Sequence, residues 1–211
     1  MKKIFSFILA LCFILPTFAQ NYSKMEEKAQ KKELKEKMKE YKKKGFEIMG
    51  SRTMEVALVK HYAKLNEYGD NATVFDGIST RTKSKNLGEQ MALNNATLKY
   101  AQKAGSTVKG RVVSDSFGDG SSTDNEAEFE KFYAAYERLI EQKVKNALEP
   151  SYSIIKDNGD GTYEIQSFFI VNESKARIAR EQALEGALKD SQLAAQYGEK
   201  IRSYIGDPVA E

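Results

Sequence analysis

One cysteine, one histidine and no tryptophan occur among the 211 residues, and proline appears only three times. Each scarcity excludes a class of chemistry. A zinc centre draws several ligands from cysteine and histidine, which this chain does not supply. A disulfide framework needs pairs of thiols, so an ordinary hydrophobic core has to carry stability, and a chain of this length is able to bury one. The sequence also lacks a G-x-S-x-G elbow, a phosphate-cradling P-loop and a dinucleotide fingerprint.

The lone Cys12 lies in a segment that reads as a secretory leader. Lys2 and Lys3 give a positive start, Ile4 to Leu15 an apolar run, and Pro16 followed by Thr17, Phe18 and Ala19 a cleavage site with small residues. Cleavage after Ala19 discards Cys12. The apolar run is shorter than the roughly 20 helical residues that span a bilayer, which argues against an uncleaved anchor. Leu11 stands where lipoprotein processing wants a small residue, which argues against lipidation of Cys12. The expected product is an exported protein of the periplasm or outer membrane, or of the cell exterior. Asn21, Asn71, Asn95 and Asn172 head N-x-S/T triplets. Asn95 is expected inside a helix and Asn172 at a helix cap, which are poor places for glycan, so the triplets are read as chance.

Charge of one sign gathers in one place. The chain carries 33 basic and 30 acidic residues, a net +3, and loss of Lys2 and Lys3 brings it to +1. Residues 24 to 44 hold ten lysines and five glutamates, so the body is mildly acidic. This arm, expected over residues 20–44, lacks Gly, Pro and β-branched residues from Lys24 onward and reads as a helix. Glu27 with Lys31, Glu33 with Lys37 and Glu40 with Lys44 sit at the favourable i, i+4 spacing. Its apolar stripe is thin, with Met25, Ala29, Leu34, Met38 and Tyr41. That width suits a solvated, lightly docked or coiled-coil helix. A solubilising leader and a contact for an anionic surface, including peripheral membrane contact, are the two readings. Nucleic acid is not expected, because the protein is expected to be exported and Tyr41 is the only aromatic residue from Lys24 to Lys44.

Gly45 ends the arm, and one α+β domain is expected over residues 45–206, with a tail at 207–211. Phe46 to Met49 reads as a short strand. From Ser51 as N-cap, Met54, Leu58, His61, Tyr62, Leu65 and Tyr68 recur at helical spacing until Gly69. Residues 73–82 read as a strand interrupted by Gly77. Asn86 caps a second helix through Leu87, Met91, Ala92, Ala96, Tyr100, Ala101 and Ala104, whose alanine face predicts close packing. The β-branched stretch 106–116 reads as a strand and is followed by a polar, glycine-rich loop. Phe129, Phe132, Tyr133, Tyr136, Ile140, Val144 and Leu148 mark a strongly amphipathic helix closed by Pro150. SYSIIK, DNGDG and TYEIQSFFIV form a hairpin. Asn172 caps a last helix with a small-residue face of Ala176, Ala179, Ala183, Ala187, Ala194 and Gly198. That face predicts close approach to the sheet or to a second copy of the chain. The expected order is β-α-β-α-β-α-β-β-α after the helical arm, with no repeat and no further domain.

FDGIST, MALNNATLKYAQKAG, TVKGRVVSD, EFEKFYAAYERLIEQKVKNAL and DGTYEIQSFFIV, over residues 70 to 175, together resemble the lipoprotein-twenty-like envelope family. The N-terminal domain of a flagellar outer-ring assembly protein of Gram-negative bacteria belongs to the same group. The resemblance implies a small α+β domain in the periplasm or at the outer membrane that assembles or binds and does not catalyse. It brings no catalytic residues with it, and the chain lacks the lipobox cysteine of the lipoprotein members.

His61 is the one imidazole that could serve as a base. It falls on the apolar face of its helix, where a satisfied, partly buried histidine is expected. In DSFGDGSSTDNE, Asp115, Asp119, Gly120 and Glu126 match positions one, five, six and twelve of an EF-hand-like loop, but Phe117 occupies a position that needs an oxygen ligand. Asp157 to Gly161 is read as turn chemistry. No catalytic, cofactor-binding or metal residue is assigned, and no cofactor is expected. The reading is a non-catalytic exported envelope protein acting as a structural, assembly or binding module. Its expected partners are envelope proteins or cell-wall polymer, with self-association through the last helix. A calcium-dependent module and a carboxylate-based hydrolase of cell-wall or extracellular polymer are the alternatives.

Overall fold

The computed structural model of the chain describes residues 28–116, 126–192 and 194–205. The leader 1–19 with Cys12, Asp119, Gly120 and the tail 207–211 lie outside the described residues. The chain divides into two units between Gly45 and Phe46.

In the first unit, residues 28–43 form helix α1. Lys44 Nζ donates to Glu40 Oε1 at 2.5 Å, one of the expected i, i+4 pairs, and Lys32 lies 3.8 Å from Glu36. Glycine at position 45, with φ 78°, ends the helix in the left-handed region.

The second unit is a mixed α+β fold with a four-stranded antiparallel sheet in the order β1-β3-β4-β2. The strands are β1 (Glu47–Ile48), β2 (Ala72–Thr82), β3 (Leu148–Asp157) and β4 (Tyr163–Asn172). Helix α2 (Met54–Tyr68) precedes β2, and α3 (Lys85–Ser116) and α4 (Glu126–Val144) follow it. After the hairpin come α5 (Glu173–Lys189) and α6 (Ala194–Ser203).

The residue types explain both faces of the sheet. Along β2, Thr73, Phe75, Gly77 and Ser79 are buried while their neighbours Val74, Asp76 and Ile78 are half-covered, the period of two that a strand imposes. Facing them on the same side, β4 offers Ile165, Ser167, Phe169 and Val171, and α3 lies over this face. The approach is close because both sides are small. A side chain at Gly77 would place its Cβ 1.7 Å from the carbonyl oxygen of Ala92, and Ala92 and Ala96 are fully buried. On the opposite face, Tyr152 and Phe168 pair across β3 and β4 with stacked rings 4.4 Å apart. Helix α2 covers that side with Leu58 and His61. β4 is therefore buried on both faces from Ser167 to Val171.

The structure corrects the strand expected at 106–116. Those residues continue α3, which runs for 32 residues, about 48 Å, well beyond strands of about 35 Å. Val108 and Val112 extend the stripe of Ala101 and Ala104 into the core. Their burial against α4 outweighs the β preference of the valines. Gly105 does not mark a boundary: it lies under the Glu137 side chain, where a Cβ would come within 2.3 Å of Oε1. TVKGRVVSD, one of the segments that carries the family resemblance, is thus helical, and the order becomes β-α-β-α-α-β-β-α-α.

Smaller corrections follow from backbone needs. Thr53, not Ser51, caps α2 by accepting from Val56 N at 3.3 Å, and Ser84, not Asn86, stands before α3 with Oγ accepting from Leu87 N. α4 ends at Val144, a short 3-10 turn spans Lys145–Ala147, and Leu148 opens β3. Pro150 therefore lies within β3, at the register shift between Pro150 and Tyr152, where a bulge tolerates a residue without an N–H. The last helix is interrupted at Asp190, giving α5 and α6. Asn172 caps α5 as expected, accepting from Lys175 N at 3.1 Å.

Beyond the sheet, the far half of α3 packs with α4, α5 and α6 into a helical core. Phe129, Phe132, Tyr133, Tyr136, Ile140 and Val144 of α4 are all buried in it. Ala176, Ala179, Ala183 and Ala187 of α5 are buried in the same core, and α5 packs chiefly on α4. The small-residue face is thus occupied within one chain. β2 remains as an edge strand. There Asn95 Nδ2 donates to the carbonyl of Ile78 at 2.7 Å, and Lys99 Nζ reaches Asp76 Oδ1 at 2.8 Å.

Candidate functional site

The most unusual chemistry in the described residues sits in the helical core. Glu173 is the first residue of α5, and Arg180 follows two turns later on the same face. Arg180 Nη1 donates to Glu173 Oε2 at 2.6 Å and to the hydroxyl of Tyr100 on α3. The Tyr100 hydroxyl in turn donates to Glu173 Oε2 at 3.3 Å. Arg180 and Glu173 are each 3% exposed and Tyr100 is fully buried.

Electrostatics hold the Tyr100 phenol neutral and the Arg180 guanidinium charged. Burial pushes the Tyr100 hydroxyl well above its usual range, against the pull of Arg180 beside it. Burial opposes the charge on Arg180, but the Tyr100 and Glu173 partners more than offset it and hold the guanidinium charged. A neutral phenol donating to a carboxylate and accepting from a guanidinium is the result. The Tyr133 and Tyr136 hydroxyls are buried nearby in the core without a hydrogen-bond partner among the described residues, and burial raises both. The cluster joins α3 to α5 through two directional bonds, and a third within α5 ties Arg180 to Glu173. Its members are sealed from solvent, so it acts on the register of the helices and not on an external substrate.

His61 is 3% exposed, between Tyr152 and Tyr62 edge to face at 5.2 and 5.5 Å. Its Nδ1 lies 2.8 Å from Ser151 Oγ, on the half-buried bulge residue of β3. This is the serine-to-imidazole distance a nucleophile and base would adopt. Glu149, two residues along the strand, is engaged elsewhere: it accepts from the Tyr68 hydroxyl at 2.7 Å and from Lys175 Nζ at 2.9 Å. Those bonds hold the Glu149 carboxyl below its usual range.

The remaining expected sites fall as follows. Asp115 and Glu126 stand at the end of α3 and the start of α4, and the residues between 117 and 125 lie outside those described. Among the described residues no three His, Cys, Asp or Glu side chains group as a metal centre. In the β3-β4 turn, Asp157 Oδ1 accepts from Gly159 N at 2.8 Å and Asp160 Oδ1 from Thr162 N at 3.0 Å. Gly159 and Gly161 both have φ 79°. That is turn chemistry, as expected.

On the surface, α3 leaves an apolar row uncovered: Leu87 is 52% exposed and Met91 and Leu98 are each 42% exposed. With Asn94 these residues alternate four and three apart, the spacing that keeps side chains in one line along a helix. Among the described residues, no helix is long and apolar enough to cross a membrane. A search of family models, curated proteins and solved structures found no match to this chain.

Proposed function

We propose that the chain is a non-catalytic protein of the bacterial envelope, exported to the periplasm or outer membrane, that works as a structural, assembly or binding module. The observation that carries the reading is the row Leu87, Met91 and Leu98 on α3. Large apolar side chains aligned on one exposed helix face supply a contact stripe for the apolar face of a partner helix. The sealing of the Tyr100, Glu173 and Arg180 cluster supports the same reading, because the most polar part of the interior serves the fold. The segment read as a leader and the resemblance to the lipoprotein-twenty-like family support an envelope location. Self-association through α5 would use the side bearing Ile178, 53% exposed, since the alanines are occupied.

The test is crosslinking in intact envelopes followed by recovery of the tagged chain, comparing wild type with Leu87→Asp/Leu98→Asp. Both positions are exposed, so each substitution should cost about 0.5 kcal/mol and the pair about 1 kcal/mol, which leaves the domain folded. The expected outcome is a crosslinked protein that the wild type holds and the double variant loses. Equal recovery of the same protein by both forms would move the contact off α3.

A further inference from the structure

Helix α1 carries most of its positive charge on one side. Lys28, Lys32, Lys35, Lys39 and Lys42 are all exposed and follow one another at alternating intervals of four and three residues. At about 100° per residue they fall within an arc of about 80° and along about 21 Å of axis. Lys31 and Lys43, also exposed, border that arc on either side. The other residue types are displaced from it. Glu33, Glu36 and Glu40 share one flank, and Leu34, Met38 and Tyr41, half-buried or buried, share the other. Lys37 and Lys44 stand opposite the row.

Neutralisation along the row is slight. Lys32 lies 3.8 Å from Glu36, with both side chains largely exposed. Among the described residues, Lys28, Lys35, Lys39 and Lys42 form no ion pair. A solubilising helix gains nothing from segregating its charge, since scattered lysines hydrate equally well. Segregation produces instead a convex, uniformly positive strip.

We propose that this lysine face docks α1 flat on an anionic phospholipid surface, with the helix lying along the membrane and held by charge without insertion. The residue types separate this from other anionic partners. Every cation of α1 is lysine, a strongly hydrated point charge suited to diffuse attraction, and none is arginine, whose planar fork grips individual phosphates. No aromatic residue stands in the row to stack on nucleobases. A convex face meets a plane along its whole length, whereas a single polymer strand is better held in a groove. The proposal concerns α1 alone and stands apart from the contact assigned to α3.

Vesicle sedimentation tests it, using the chain without residues 1–19 so that the apolar leader adds no affinity of its own. Vesicles of phosphatidylglycerol mixed with phosphatidylcholine are expected to retain the protein at low salt and release it at high salt, while phosphatidylcholine alone retains none. Lys35→Gln/Lys42→Gln should lower apparent affinity for the anionic vesicles about thirtyfold, from about fivefold per lysine. Lys37→Gln/Lys44→Gln removes the same charge from the opposite side and should lower it less than about threefold. Glutamine matches lysine closely in helix propensity, and circular dichroism checks that α1 persists. Equal losses in the two double variants overturn the docking geometry. Retention by phosphatidylcholine overturns the electrostatic basis. Tight binding to soluble polyphosphate without retention by anionic vesicles overturns the membrane as partner in favour of a linear polyanion.

Discussion

Over the sheet, α3 presents Gly88, Ala92 and Ala96, and the strand beneath it presents Gly77. Past the sheet, the same helix meets Phe132, Tyr133 and Tyr136 of α4, with Phe132 and Tyr136 stacked 6.1 Å apart and 2° from parallel. The first region is held by backbone surfaces brought together where side chains are missing. The second is held by large side chains that fill space, with a charged cluster set among them. One region therefore tolerates no added atom, while the other tolerates no removed one.

Variants that reverse the logic of each region should break it, and the largest effect belongs to the sheet. Gly77→Val puts a branched side chain where the Ala92 carbonyl already stands, and backbone cannot rotate away as a side-chain tip does. A loss beyond about 5 kcal/mol is expected, enough to unfold a domain of ordinary stability. A urea midpoint close to wild type would show that α3 lifts from the sheet at little cost.

In the helical region the comparable step is removal. Arg180→Met strands the buried Glu173 charge and should cost about 3–5 kcal/mol by chemical denaturation. Adding Glu173→Leu removes the stranded charge as well and should recover most of that loss. A double variant no more stable than Arg180→Met would mean that the pair adds little beyond the space it fills.

The smallest effect sharpens the boundary between the regions. Gly110 lies on the exposed side of α3 with nothing within 4 Å of a new Cβ. In a helix interior Gly110→Ala should raise stability by about 1 kcal/mol, whereas alanine in a strand is no better placed than its neighbours. A loss of stability, read from the thermal midpoint, would contradict the continuous helix.

These contrasts also explain what could be read from the sequence. The aromatic stripe of α4 and the hairpin were legible because each pattern is complete within its own segment: six α4 positions at helical spacing, and two alternating runs around Asp157 to Gly161. The strand expected at 106–116 failed because Thr107, Val108, Val112 and Val113 carry a β preference locally, while the decisive contact with α4 lies tens of residues away. The interruption at Asp190 failed for a similar reason, since no glycine or proline marks it. The cluster in the core went unseen although its trace was present. Glu173, Ala176, Arg180, Ala183 and Ala187 share one face of α5, so two charges lie in line with the alanines expected to be buried. A charge on a small-residue face announces a buried partner, but Tyr100, 73 residues before Glu173, is not nameable from spacing.

The edge of the sheet has a consequence for how the chain avoids joining others of its kind. β2 flanks the sheet with 11 residues, long enough to template a strand from another molecule. Asn95 closes that edge at the Ile78 carbonyl, and Lys99 sets a charge beside it on Asp76. Both guards stand on α3, a helix built from local contacts that form in about microseconds, faster than a four-stranded sheet assembles. The element that covers the sheet is thus also the one that shields its edge from a strand of another molecule.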